Sequence, residues 1–118
     1  MARILVVEND FGNVEVIRLI LQEEQHEVIT IQQSGLLAHT IGMFAPELII
    51  MDIVLDNADG RLLCNNLKSQ TATSHIPVLL ITAMMESNAR SLACFADHLM
   101  FKPFDYSTFS NRVSFMIN

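Results

Sequence analysis

Three short runs restrict the architecture open to this chain: Ile4-Leu5-Val6-Val7, Leu48-Ile49-Ile50-Met51 and Val78-Leu79-Leu80-Ile81. None alternates apolar with polar residues, so none suits a sheet with one wet face. Unbroken apolar runs of this length fit parallel strands covered by helices on both sides. Two weaker strands fit at Glu27 to Ile31 and at His98 to Phe101. The stretches between them carry helical spacing. Val14, Ile17 and Leu21 share one face, with Asn13 as the expected cap. Ser34 is expected to cap a second helix over Leu37, Ile41 and Phe44, which stops before Pro46. Gly60 precedes a third helix through Leu62, Leu63 and Leu67. The fourth is expected over Glu86 to Phe95. Asp105 caps a fifth, with Phe109, Val113 and Met116 on one face.

The order is β-α, five times over. It predicts an α/β fold: a (βα)5 doubly wound, five-stranded parallel sheet with right-handed crossovers. Residues 1–118 are read as one domain, since 118 residues suit one compact unit and no linker, repeat or low-complexity tract interrupts them. Hydrophobic residues at 51% against 17% charged ones exclude a disordered chain. Seven Lys and Arg face thirteen Asp and Glu, and the basic residues are scattered singly. Direct nucleic-acid contact is therefore not expected. No apolar run approaches the roughly 20 residues of a membrane span, and Met1-Ala2-Arg3 leads into a strand without a signal-peptide pattern. The expectation is a cytoplasmic protein with no membrane partner. Cys64 and Cys94 form no C-x-x-C pair, and no Cys/His cluster has zinc spacing. Both are read as buried thiols in a reducing compartment. The four histidines lie far apart and suggest no site.

In open sheets of this kind the site lies outside the carboxyl ends of the strands. The first strong strand ends in Glu8, Asn9 and Asp10, the third strand in Asp52, the fourth in Thr82, and the fifth in Lys102-Pro103. Acids, a hydroxyl and a lysine thus converge on one edge. Two carboxylates about 5 Å apart repel by roughly 3 kcal/mol at an effective dielectric near 20. Lys102, a raised pKa or a hard cation must offset this. Mg²⁺ suits such a place, because it takes one or two carboxylates, keeps waters and accepts phosphate oxygens. A carboxylate beside such cations is set up to attack phosphorus while they neutralise the equatorial oxygens.

The ordered set Ile4-Leu5-Val6-Val7-Glu8-Asn9-Asp10, Leu48-Ile49-Ile50-Met51-Asp52, Asp59-Gly60, Ile76-Pro77-Val78 to Thr82-Ala83 and Lys102-Pro103-Phe104 resembles the response-regulator receiver family. The resemblance covers essentially the whole chain. It implies a CheY-like, flavodoxin-like fold and a role in a two-component phosphorelay. It makes Asp52 the phosphoacceptor, Thr82 the hydroxyl that moves to the phosphoryl group, and Lys102 the lysine that pairs with acids and then phosphate. It implies Mg²⁺ held by Glu8 through water, by the position of Asn9, by Asp52 and by the backbone carbonyl of Val54. The peptide bond before Pro103 is usually cis in the family. A sensor histidine kinase or phosphotransfer protein is the implied partner, and the domain is regulatory rather than an enzyme, catalysing only its own phosphotransfer and dephosphorylation.

The chain departs from the family at three places. Asn9 stands where a second acid usually binds the metal, which predicts Mg²⁺ affinity at least tenfold weaker, about 1.4 kcal/mol. Asp10 next door is a partial substitute only if it points inward. Leu99 stands where Tyr or Phe is common, and Asp56 replaces a frequent proline, adding charge and loosening the turn. Asn9 and Leu99 favour an alternative: a degenerate receiver that binds partners without phosphorylation. A flavodoxin is disfavoured because acids in Glu8-Asn9-Asp10-Phe11-Gly12 repel a phosphate. Rossmann and P-loop glycine motifs are missing, and Asp52-Ile53-Val54 lacks the second acid of aspartyl-nucleophile phosphatases. Met84, Met85 and Phe101 are candidates for a partner surface near the fourth helix, fifth strand and fifth helix, through which two copies are expected to pair on activation.

Overall fold

The computed structural model describes residues 1–117. Five strands, β1 (Arg3–Val7), β2 (Glu27–Ile31), β3 (Leu48–Asp52), β4 (Val78–Thr82) and β5 (His98–Phe101), form one parallel sheet in the order β2-β1-β3-β4-β5. β1, β3 and β4 are the inner strands, and their unbroken apolar runs follow from that place. Ile4, Val6, Leu48, Ile50, Leu79 and Ile81 pack on one face against α1 (Phe11–Glu23) and α5 (Tyr106–Ile117), through Ile17, Leu21, Phe109 and Val113. Leu5, Val7, Ile49, Met51, Val78 and Leu80 pack on the other. There they meet α2 (Leu37–Phe44), α3 (Gly60–Lys68) and the short α4 (Glu86–Ala89). Both faces are therefore dry, as a doubly wound sheet requires.

The strands fall where the apolar runs put them, but three helix starts differ from expectation. Asp10, not Asn13, caps α1. Its backbone is extended and its carboxylate accepts the Asn13 N–H at 3.0 Å, so the helix begins two residues before Asn13. Ser34 opens a 3-10 turn over Ser34–Leu36, and α2 follows from Leu37 without a side-chain cap. Asp59 caps α3 by accepting the Arg61 N–H at 2.8 Å, which makes Gly60 the first helical residue. Asp105 holds the expected place before α5, its carbonyl accepting the Phe109 N–H at 3.1 Å.

The largest difference is α4, which spans four residues instead of Glu86 to Phe95. The cause lies in α3. The Arg61 guanidinium donates to the carbonyls of Asn88 at 3.0 Å and Ala89 at 3.2 Å. Asn65 donates to the Ala93 carbonyl and accepts the Phe95 N–H, both at 2.9 Å. The backbone groups needed to continue the helix are already engaged. The chain runs irregularly from there to Asp97, whose carboxylate takes the Val78 N–H and Lys68, each at 2.8 Å, and so anchors the start of β5.

Candidate functional site

The carboxyl ends of β1, β3, β4 and β5 meet at one edge. Glu8 follows β1, Asp52 ends β3, Thr82 ends β4 and Lys102 follows β5. The fold thus gathers four of the expected side chains from positions up to 94 residues apart. Lys102 Nζ lies 2.6 Å from Glu8 Oε1 and 2.6 Å from Asp52 Oδ2. Both acids are buried, Glu8 at 1% exposure and Asp52 at 5%. Their other oxygens are also held: Glu8 Oε2 accepts the Asp10 N–H at 3.2 Å, and Asp52 Oδ1 accepts the Val54 N–H at 2.9 Å. The Thr82 hydroxyl oxygen accepts the Met84 N–H at 3.0 Å, and the Thr82 carbonyl takes the Lys102 N–H at 2.7 Å. The Lys102–Pro103 bond is cis.

Two buried carboxylates share one ammonium, so a negative charge is left over. Burial pushes the Glu8 carboxyl above the usual range despite the Lys102 hydrogen bond, and the Asp52 charge adds to the rise. Burial works against the Lys102 ammonium, but its bonds to Asp52 and Glu8 outweigh this and raise it. The excess charge and the all-oxygen donors fit a hard divalent cation. Among the described residues no cluster of three or more His, Cys, Asp or Glu is placed to hold a metal. Mg²⁺ takes only one or two carboxylates and fills the rest of its shell with water.

The remaining expected residues are also in reach of this edge. Asn9 is exposed beside Glu8. Val54 turns its side chain outward, at 58% exposure, as a residue used through its backbone can. Asp10 is committed to the α1 cap and does not stand in for the missing acid. The loop after Asp52 is closed by backbone bonds from Leu55 N–H to Ala58 and from Gly60 N–H to Ile53, with Asp56 exposed at its tip. Leu99 and Phe101 pack on the α3 face of the sheet, opposite Leu80 and Thr82. Met84 also packs there, which leaves Met85 as the exposed member of the three surface candidates.

The sequence places Gly60 just before the third helix and within the Asp59-Gly60 pair of the resemblance. A Cβ at Gly60 would lie 2.2 Å from the Asp52 carbonyl oxygen and 3.0 Å from Ile53 Cα. Gly60 therefore lets α3 close onto the end of β3. The Asp59-Gly60 pair was visible in the sequence, but the close approach behind it was not.

A doubly wound sheet of this order, with an acid pair and a lysine joined at its carboxyl edge, defines a domain of the flavodoxin-like class. Comparison with known proteins narrows this. The family model for the response regulator receiver domain matches residues 4–114. The response regulator PleD of Caulobacter vibrioides is 34% identical over 106 residues, which cover 88% of this chain and 23% of PleD. The signal receiver domain of a signal transduction histidine kinase from Syntrophus aciditrophicus superposes with a TM-score of 0.91 at 28% identity, covering 99% of this chain and 90% of that one. The receiver domain of sensor histidine kinase PA1611 from Pseudomonas aeruginosa PAO1, described with a magnesium ion coordinated in its active-site cleft, has the same fold (TM-score 0.87, 20% identity, 98% of this chain and 97% of that one). The chain belongs to the response regulator receiver domain family, the signalling modules of two-component systems. It spans about a quarter of the length of PleD. Among the described residues no helix is long and apolar enough to cross a membrane.

Proposed function

We propose that the whole chain acts as one phosphoacceptor unit, with Asp52 as the residue phosphorylated. The observation that carries this is the Lys102 ammonium bound at 2.6 Å to both buried acids. An Asp52 oxygen attacks the phosphorus of a phosphodonor. The P–N bond of a phosphohistidine breaks, and imidazole leaves with the electron pair. The donor is a sensor histidine kinase or a phosphotransfer protein. Lys102 already contacts the attacking carboxylate, so it can follow the charge onto the phosphoryl oxygens without a large movement. Glu8, Asn9, Asp52 and the Val54 carbonyl would hold Mg²⁺, which supplies charge neutralisation on the transferring group.

Thr82 is the responding group. Its hydroxyl now accepts the Met84 N–H, and turning toward the phosphoryl group breaks that bond. The start of the β4–β5 connection is thereby released, and the population shifts by as much as the new bonds favour the second state. The face built from α4, β5 and α5 carries exposed Met85, Phe95 and Phe115, and two activated copies pair through it. The reading predicts no direct nucleic-acid contact by this chain and places its work in the cytoplasm.

The test is intact mass after incubation with acetyl phosphate and excess Mg²⁺, with Asp52→Asn alongside. One added phosphoryl group on the parent and none on the variant is the expected outcome. No addition at saturating Mg²⁺ overturns the proposal. Light scattering before and after loading with a phosphate mimic reads the pairing; an unchanged monomer mass sinks that part alone.

A further inference from the structure

Two thiols lie outside the site described so far, and the fold treats them unequally. Cys64 is fully buried on α3, beneath the sheet face that includes Leu80. Cys94 lies in the irregular segment between α4 and β5 and is only half-buried, which corrects the expectation of two buried thiols. Asn65 brackets Cys94 from both sides, through the Ala93 carbonyl and the Phe95 N–H. The Cys94 thiol donates to the Arg61 carbonyl at 3.7 Å, within the turn of α3 that presents Cys64. These three bonds hold Cys94 against the turn of α3 that carries Cys64. Burial, and then the adjacent Cys94 sulfur, pushes the Cys64 thiol up to about 12. Cys94 also lines a cavity of about 450 Å³ together with Arg61, Leu92, Leu99 and Arg112. A small oxidant therefore reaches Cys94 and not Cys64.

We propose that Cys64 and Cys94 form a reversible intramolecular disulfide on oxidation by a hydroperoxide, stapling the segment between α4 and β5 to α3. Cys94 attacks first. Its sulfur takes the distal peroxide oxygen, the O–O bond breaks, and the alcohol (water, for hydrogen peroxide) leaves with the proton. The Cys64 sulfur then attacks the sulfenic sulfur, and the hydroxyl departs as water with the Cys64 proton. In sum, two thiols and one hydroperoxide give one disulfide, one alcohol and one water. A cellular thiol reverses the step by exchange, so a reducing compartment makes the bond transient rather than forbidding it. The staple acts on the segment that Arg61 and Asn65 already hold and that leads directly into β5. It requires no chemistry at Asp52.

The experiment treats the full chain with hydrogen peroxide, quenches with N-ethylmaleimide and maps tryptic peptides without reduction. The expected product joins residues 62–68 to residues 91–112, with the loss of two hydrogens and of both alkylation sites, and dithiothreitol restores both. Cys94→Ser is expected to abolish the product and to leave Cys64 unoxidised in the folded chain. Cys64→Ala is expected to leave Cys94 as a sulfenic acid that dimedone captures. Because Cys64 is a core position, circular dichroism checks that variant, and Cys94→Ser, at a half-buried position, carries the test if it fails to fold. Hydrogen exchange across residues 93–97 is expected to slow in the oxidised form. Three results overturn the proposal: both thiols still alkylated in the unfolded, treated chain; a disulfide found only between two chains; or Cys94 oxidised to a sulfinic acid with Cys64 free.

Discussion

The carboxyl edge of the sheet and the segment joining β4 to β5 are neighbours, yet they are held in opposite ways. At the edge, each functional group leaves the end of a strand whose position is set by ladder bonds and by side chains buried on both faces. In the segment, α4 spans only four residues, and the chain beyond it hangs on side chains from α3: Arg61 on two carbonyls, Asn65 on one carbonyl and one N–H, Lys68 on Asp97. The edge is thus rigid by construction, whereas the segment is pinned by a few replaceable contacts. A switch needs both: a fixed place for chemistry and a region whose alternative state lies close in energy.

The contrast is broken most severely at Gly60. Gly60→Ala forces a methyl group to within 2.2 Å of the Asp52 carbonyl. The expected loss is about 3 kcal/mol, read from urea unfolding, together with slower phosphorylation by acetyl phosphate. A neutral result would mean that α3 moves freely against β3, and the edge would not be the rigid partner. Arg61→Ala strikes the other side. It removes the bonds to Asp59 and to the two α4 carbonyls and should cost about 2 kcal/mol. Hydrogen exchange should accelerate over residues 88–96 while β3 stays protected. The guanidinium also holds the Asp59 carboxyl below its ordinary value of 3.8. That contribution is present above pH 3.8 and is lost as pH falls through the lowered folded value. The gap between parent and variant should therefore narrow in acid.

Asn9→Asp sharpens the comparison from the chemical side. Mg²⁺ should bind at least tenfold tighter, about 1.4 kcal/mol, by calorimetric titration, with the α4 segment unchanged. An unaltered affinity would show that Asn9 is not the cause of weak binding. The smallest effect is expected at Glu8. Its folded pKa is raised from 4.5, so the folded chain keeps a proton that the unfolded chain has lost. Stability therefore falls as pH rises from 4.5 through the raised value. Glu8→Gln should flatten that part of the stability–pH curve, and a slope equal to the parent's would refute the assignment.

The same division governs what could be read in advance. β2 and β5 lie where weak apolar patterning placed them, and the inner strands follow from runs that only a dry, two-sided sheet explains. Glu8, Asp52, Thr82 and Lys102 were legible because strand ends are legible, and the resemblance supplied their roles. Helix starts were less so: Asp10 and Asn13 are both acceptable caps, and the extended backbone at Asp10 decides between them. The length of α4 could not be read from its own residues. It is fixed by Arg61 and Asn65, whose backbone partners lie 27 to 30 residues further along. No local periodicity encodes such a contact. The distinction between the two cysteines was hidden for the same reason.

The bond from Lys102 to Glu8 joins residues 94 positions apart, nearly the two ends of the chain. Until β5 docks, the acids at the ends of β1 and β3 face each other with no lysine between them. Docking the last strand and assembling the reactive centre are therefore a single event. A chain still waiting for β5, or clipped before it, leaves the Glu8 and Asp52 carboxylates without the ammonium that joins them in the folded sheet.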